Sequence, residues 1–413
     1  MTSSLAHVGG RTFASVRKHR NYRLYFTGQG ISFTGSWVQQ IAAAWLVLQL
    51  THSAVAVGAL ALAQLLPITV LGLFVGTLID RFGARRVALY AENAQLVVAA
   101  MLAGLTLAGW VTVWEIYVLA VLQGIGQAVG GPARHALVFQ MVGSEDLPNA
   151  VALNSSLGTT ARVVGPAIGG AVVAFAGAGV AFGVNAASFL GEVIALLAID
   201  QSQLFSAPHD AEVRVLHGAV DALRYVVRSA RAGVAFFAVL VLSTFTFNFN
   251  VLLPLVADRT LHAGPRTFGL IAAVFGAGAL VGALSIARRG TNSLRYLLGG
   301  ALGYGALELL LAPQRSPVLV CLLLFATGFC YIQWGATALT AIQLEAPERL
   351  RGRAASLYFF AFLGGAPLGG LFAGWLVSLG GTRLAFVVAG SIAIVTALLG
   401  TARLSATRRP QAI

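Results

Sequence analysis

Charge is scarce in this chain: acidic and basic residues make up 10% of its 413 positions, against 58% hydrophobic. A soluble protein of this size is about a quarter charged, so a water-exposed globule is excluded. Lysine is all but missing beside abundant arginine, alanine and glycine, a usage that points to a GC-rich bacterial genome. The two cysteines, Cys321 and Cys330, share one apolar run. On a helix, residues nine apart lie about 13 Å apart on nearly opposite faces, which excludes a disulfide within it. There is no phosphate loop with its lysine, no closely spaced metal-ligand pair and no polar domain to hold a nucleotide. An enzyme, a metal and a cofactor are therefore not expected. The net charge of +13 lacks a polar domain on which to gather, so nucleic acid is not expected as a partner.

What the chain does have is long apolar runs, with a mean hydropathy of +0.82. Runs of about 20 residues suffice to cross a bilayer. Twelve are present: Tyr22 to Leu50, Ala54 to Leu78, Val87 to Gly109, Val113 to Gly131, Asn154 to Ala176, Val180 to Ile199, Gly233 to Ala257, Thr267 to Ala287, Leu294 to Ala312, Pro317 to Ala341, Ala354 to Ser378 and Arg383 to Leu404. The implied fold is an all-α membrane protein with twelve transmembrane helices in two pseudo-symmetric six-helix bundles. Its parts are a cytoplasmic segment 1–21, a bundle 22–199, a cytoplasmic linker 200–232, a second bundle 233–404 and a tail 405–413. Within the linker, Leu216 to Ser229 reads as an amphipathic surface helix.

Arginine placement sets the expected orientation. With the N-terminus inside, every inner segment collects arginine, from Arg17, Arg20 and Arg23 through Arg81, Arg85 and Arg86, Arg134, Arg224 and Arg228, Arg288 and Arg289, Arg351 and Arg353, to Arg403. The positive-inside rule then puts both termini in the cytoplasm of a multi-pass plasma (inner) membrane protein. The basic N-terminal stretch is not read as a removable signal, because the apolar segment after it is too long.

The chain also repeats. An offset of 200 aligns Glu145 with Glu345, Gly165 with Gly365, Gly169 with Gly369 and Gly170 with Gly370. Two matched halves predict a substrate site at their interface and alternating access by rocking.

Between the second and third runs lies Gly76-Thr77-Leu78-Ile79-Asp80-Arg81-Phe82-Gly83-Ala84-Arg85-Arg86. It resembles the Gly-x-Leu-x-Asp-Arg-x-Gly-Arg-Arg signature of major facilitator superfamily transporters, with Ala84 inserted in the turn. The resemblance implies a conformational latch, in which Asp80 contacts the arginines and a helix terminus in one access state; Gly76, Asp80, Arg81, Gly83, Arg85 and Arg86 are the gating candidates. A second signature, Gly165-Pro166-Ala167-Ile168-Gly169-Gly170, matches the core Gly-Pro-x-x-Gly-Gly of the motif associated with exporters of that superfamily. Pro166 removes a helix hydrogen bond, and glycines permit tight helix packing. The upstream glycines of that motif are replaced by Ala152 and Ala161, and Ala120 stands where a fourth-helix arginine is often found before Gln123-Gly124. Over about Phe13 to Leu404 the chain resembles the enterobactin-exporter-like branch and drug:proton antiporters, sharing Pro132-Ala133-Arg134, Asp146-Leu147-Pro148-Asn149-Ala150 and Ala161-Arg162-Val163-Val164-Gly165-Pro166.

Ionisable groups inside spans cost several kcal/mol unless paired or hydrated. Arg162 and Glu192 stand at matched depth on antiparallel spans and are expected to pair, with Glu92 a competing partner; these are the proton-coupling or ion-pair candidates. Polar residues at helical spacing suggest a path: Gln29, Ser32, Ser36 and Gln40 with Trp37 on the first span, Gln123, Gln127, Gly130 and Arg134 on the fourth, Thr244 and Asn248 with Phe245 and Phe249 on the seventh, and Tyr331, Trp334 and Tyr358 beyond. Amides mixed with aromatics suit an amphiphilic organic molecule better than an inorganic ion or a sugar. The expected function is export of a small organic substrate, a drug, siderophore or secondary metabolite, by a monomeric proton antiporter. Proton-coupled uptake is the alternative within transport, and a non-transporting receptor or sensor on the same fold the alternative outside it.

Overall fold

The computed structural model describes residues 13–71, 75–205, 223–289, 294–347 and 350–406. Among them the chain is helical almost throughout. A short helix α1 (Ala14–Lys18) precedes α2 (Arg20–Thr51), α3 (Ala54–Leu71), α4 (Val75–Phe82) and α5 (Ala84–Leu107). One continuous element, α6 (Val113–Leu197), then makes three passes, because Gly143 (φ 70°) and Gly177 (φ 84°) leave the helical region and let the chain reverse. Such positive φ values cost glycine little, since it has no Cβ. A capping box between Thr112 and Glu115 fixes the start of α6.

In the second half, α7 (Ala230–Val241) and α8 (Phe249–Leu255) form one pass interrupted by a π-helical segment, Leu242–Thr246. It is followed by α9 (Pro265–Arg289), α10 (Leu294–Leu311), α11 (Pro317–Glu345), α12 (Arg351–Gly364) and α13 (Ala366–Ala406), the last turning at Gly380 and Gly381. Counting the merged elements by their turns, the described residues make twelve apolar passes, as the hydropathy pattern predicts. The fourth pass runs beyond the expected Gly131 to the turn at Gly143, and the fifth begins there rather than at Asn154. The first half of the expected linker helix, 216–222, lies outside the described residues; the second half is helical over 223–228.

Two compact units result: Met1–Leu46 with Leu66–His209, and Val47–Leu65 with Asp210–Ile413. In the first, a core of Tyr22, Tyr25, Val87, Leu137, Met141 and Leu196 gathers the ends of several passes. The motif Asp146 to Ala150 acquires a role here, because it seats α1. Ser15 donates from its backbone N–H and its hydroxyl to Asn149 Oδ1 (3.1 and 2.8 Å), while Lys18 and His19 both reach Asp146 (2.7 and 2.8 Å). Tyr22 donates to the Ala150 carbonyl at 2.8 Å. In the second unit Glu345, the repeat counterpart of Glu145, accepts from Arg231 at 2.9 Å, and its carbonyl accepts from Tyr225 at 2.5 Å.

The glycine repeat becomes a packing seam in both units. A Cβ on Gly165 would strike Trp37, and one on Gly169 would meet Val38 Cα at 3.0 Å, so the fifth pass lies directly on the first. In the second unit, Gly365 and Gly369 bring the eleventh pass onto Thr244 and Asn248 of the seventh. Gly58 lies against Gly370, and Gly374 against Ala54, which is why Val47–Leu65 belongs to this unit. Side chains this small let helix backbones touch.

Candidate functional site

The first unit encloses a group of ionisable side chains. Glu92 on α5, 0% exposed, forms an ion pair with Arg134 on the fourth pass, 14% exposed. Arg134 also acts on Glu192 of the sixth pass and on the Tyr25 hydroxyl. Room for this comes from glycine: Gly130, one turn before Arg134, lies under its guanidinium, and a Cβ on Gly126 would meet Gln95 at 2.6 Å. A Cβ on Gly28 would likewise meet Ala195 Cβ at 2.8 Å and Glu192 Cα at 3.3 Å, so the first pass lies directly on the sixth. Gln123 donates to Gln95 at 3.4 Å, and Asn185 donates to Gln39 at 2.8 Å, extending the buried polar layer. Among the described residues both Glu192 carboxyl oxygens, the second Glu92 oxygen and Gln29 Oε1 have no hydrogen-bond partner.

This geometry corrects the expected pairing. Arg162 is exposed, with its guanidinium 5.6 Å from the Trp37 ring centroid, whereas Glu192 is 1% exposed. Matched depth along two helices does not make their side chains face each other, and here they do not. The cation among these acids is Arg134, which arginine placement alone assigns to an inner loop; the fourth pass continues beyond Gly131 and carries it inward.

Around the arginine loop, Gly83 (φ 82°) makes the turn and α5 starts at Ala84. Arg85 donates to the Leu196 and Leu197 carbonyls at 3.0 and 3.1 Å, satisfying the C-terminal end of the sixth pass. Arg81 lies over the Phe82 ring at 5.3 Å, and Asp80 and Arg86 sit at the exposed surface. Gly76 belongs to α4. Gly165, Pro166, Gly169 and Gly170 are all buried.

In the second unit, aromatic residues close around the seventh pass. Phe247 stacks on Tyr331 at 4.2 Å, Tyr331 meets Trp334 edge-on at 5.6 Å, and Tyr358 stacks on Phe362 at 5.8 Å. Phe249 and Phe275 continue the cluster at 4.6 Å. Tyr331, Trp334 and Tyr358 thus come together, while Phe245 turns away to Phe372. Phe249 was expected as an aromatic wall, whereas Phe247, Phe275 and Phe362 were not anticipated; the run of alternate phenylalanines at 245, 247 and 249 was the visible signal for Phe247. Asn248 is buried and donates to the Thr244 carbonyl at 3.1 Å. Of the polar residues on the other candidate faces, Gln123 is buried, Ser36 and Gln40 are half-buried and Gln127 is exposed. Also missed was Glu308, a fully buried acid on α10, although an acid inside an apolar run is legible as such.

Residues 11–410 match the family described as Transmembrane secretion effector, of the major facilitator superfamily. The chain is 29% identical over 392 residues to the Multidrug efflux pump Tap of Mycobacterium tuberculosis, covering 91% of each. It is 25% identical to Macrolide efflux protein A of Streptococcus pyogenes, over 68% of this chain and 71% of that protein. Its match to the Staphyloferrin A transporter of Staphylococcus aureus, also 25% identical, spans 63% of this chain and 66% of the transporter. In fold it resembles a bacterial homologue of the human lysosomal transporter Spinster, with TM-score 0.72 at 14% identity, over 95% and 98% of the two chains. A D-xylose-proton symporter gives TM-score 0.69 at 16% identity, over 93% and 97%. The chain belongs to the major facilitator superfamily: it is a multi-pass membrane transporter and not an enzyme.

Proposed function

We propose that this transporter exports a small amphiphilic organic compound from a bacterial cell in exchange for protons, acting as a monomer in the plasma membrane with both termini in the cytoplasm. The observation that carries the coupling is the enclosure of two carboxyl groups, Glu92 and Glu192, with one arginine. Arg134 can balance one negative charge; the other acid must then be neutral or be left uncompensated in a low-dielectric place, at a cost of several kcal/mol. An enclosure with one charge too many is suited to taking up and releasing one proton.

Export, rather than uptake, rests on the relatives named as multidrug and macrolide efflux proteins. The exporter-type Gly-Pro-x-x-Gly-Gly run, seated on the first pass, agrees with it. The arginine loop from Gly76 to Arg86 is assigned to gating, with Arg85 holding the end of the sixth pass in this conformation. Substrate contacts are assigned to Gln29, Ser36, Trp37, Gln40, Gln123 and Gln127 in the first unit and to Asn248, Tyr331, Trp334 and Tyr358 in the second, without Phe245, which turns away to Phe372.

The test is transport in proteoliposomes under an imposed pH gradient, with a macrolide and a fluorescent cationic dye as probes. The expected result is accumulation driven by the gradient and proton movement coupled to it, both abolished by Glu192→Gln. Gradient-independent flux, or unchanged coupling in the variant, would reject the assignment. Unaltered intracellular levels of a wide compound panel after gene disruption would reject export.

A further inference from the structure

Proton exchange at Glu92 and Glu192 leaves one buried acid unused. Glu308 lies on α10, 0% exposed, and neither of its carboxyl oxygens has a hydrogen-bond partner among the described residues. The elements packed on this helix near it present Phe249 from the seventh pass, Trp334 from α11, and Gly390 and Ala393 from α13. The ionisable group that acts on Glu308 is Tyr304, one turn earlier on the same helix, and Tyr331 of α11 reaches the site only through Tyr304. The charged residues those neighbouring elements carry, Arg231, Asp258 and Arg259, Glu345, and Arg383 and Arg403, do not act on it. An ionised carboxylate with neither cation nor donor is expensive in such a place; the neutral acid is the form that fits.

Tyr304 spends its hydroxyl elsewhere, donating to the Thr246 carbonyl at 3.3 Å. Thr246 closes the π-helical segment of the seventh pass, after which Phe247 and Asn248 leave helical geometry. A tyrosine hydroxyl has one hydrogen to give. It can hold Thr246 or solvate an ionised Glu308, not both.

We propose that Glu308 is a second proton-binding site, and that the Tyr304 hydroxyl switches between Thr246 and Glu308 as the proton leaves, so that the break in the seventh pass responds to its occupancy. The use of this site in transport rests on the proton-exchange reading; its existence does not.

The experiment is infrared titration of the full-length protein in lipid nanodiscs, comparing the wild type with Glu308→Gln, Tyr304→Phe and, as controls, Glu92→Gln and Glu192→Gln. A protonated-carboxyl band present at neutral pH is expected, lost in Glu308→Gln and retained in both controls. Its disappearance at alkaline pH should move by at least half a pH unit in Tyr304→Phe. A hydrophobic carbodiimide, which attacks protonated carboxyl groups, should modify Glu308 at neutral pH and less so at alkaline pH, as read by mass spectrometry. Absence of a band assignable to Glu308, or a band that does not titrate while Glu308→Gln transports with the wild-type pH profile, would overturn the proposal. If the Glu308 band titrates but transport ignores the pH gradient, the proton site stands and the exchange scheme falls. A gradient-driven wild type with a silent Glu308 keeps the exchange scheme and removes the second site.

Discussion

In the first unit Gly165 and Gly169 lie on Trp37 and Val38; two hundred residues later Gly365 and Gly369 lie on Thr244 and Asn248. The backbone seam is repeated, but the chemistry beside it is not. The first unit surrounds two acids with an arginine and amides, on passes that remain regular helices at that level. Among the described residues, the second buries one acid, Glu308, that no cation faces, backed by aromatic rings, and its seventh pass is interrupted at Leu242–Thr246. Duplicated packing with divided function follows from what glycine does: it fixes how closely helices approach while leaving the surrounding side chains free to diverge.

The largest effect should come from removing the cation. Arg134→Met leaves Glu92 and Glu192 enclosed without compensation, and breaking a buried pair from one side costs about 3–5 kcal/mol. A marked fall in monodisperse yield and thermal midpoint is expected, partly restored by Glu92→Gln in the same chain. In contrast, Glu308→Gln should unfold close to the wild type, since no ion pair is broken. Equal stability of Arg134→Met and Glu308→Gln would erase the contrast between the units.

Next in size are the seams. Gly165→Ala and Gly369→Ala insert a methyl where overpacking costs about 1–3 kcal/mol. The second should cost more, because the Thr244 carbonyl oxygen stands nearer the added methyl than Trp37 Cβ does at Gly165, and side-chain rotation relieves neither contact. Thermal midpoints of the two purified variants give the order directly. Arg85→Lys is milder. A lysine cannot present two donors in a fixed fork to Leu196 and Leu197, so about 0.5–1.5 kcal/mol is lost, detectable as faster hydrogen exchange over 195–204.

The smallest effect is a dependence on pH. Hydrogen bonds from Lys18, and then from His19, hold the Asp146 carboxyl below the ordinary aspartate value of 3.8. A carboxyl with a lowered native value contributes its full docking energy above the ordinary value and loses it as pH falls through the lower one. Docking of α1 should therefore survive neutral and mildly acidic conditions and fail only in strong acid, whereas Asp146→Asn loosens it throughout. Hydrogen exchange at residues 14–18 reads both.

The twelve passes and the repeat were legible because each is stated many times over, by apolar length and by glycines at a fixed offset. The pairing of buried charges was not, because it depends on helix rotation rather than depth. Arg162 shares a level with Glu192 yet faces Trp37, while Arg134 reads both as an inner-loop arginine and as the end of the polar face formed by Gln123, Gln127 and Gly130, and only the length of the fourth pass decides between the two. Glu308 escapes for a simpler reason, since a search for opposite-charge pairs passes over an acid that has none. The arginine loop was legible, but its contact with the Leu196 and Leu197 carbonyls required the sixth pass to end beside α5.

The docking of α1 has a practical consequence for handling the protein. Ser15, Lys18 and His19 tie the stretch just ahead of the first pass to Asp146 and Asn149, in the first turns of the fifth pass just beyond the bend at Gly143. A purification handle or fluorescent partner fused in front of Ala14 therefore pulls on that bend rather than swinging free, and such fusions should be spaced by a flexible Gly/Ser tether or moved to the other terminus.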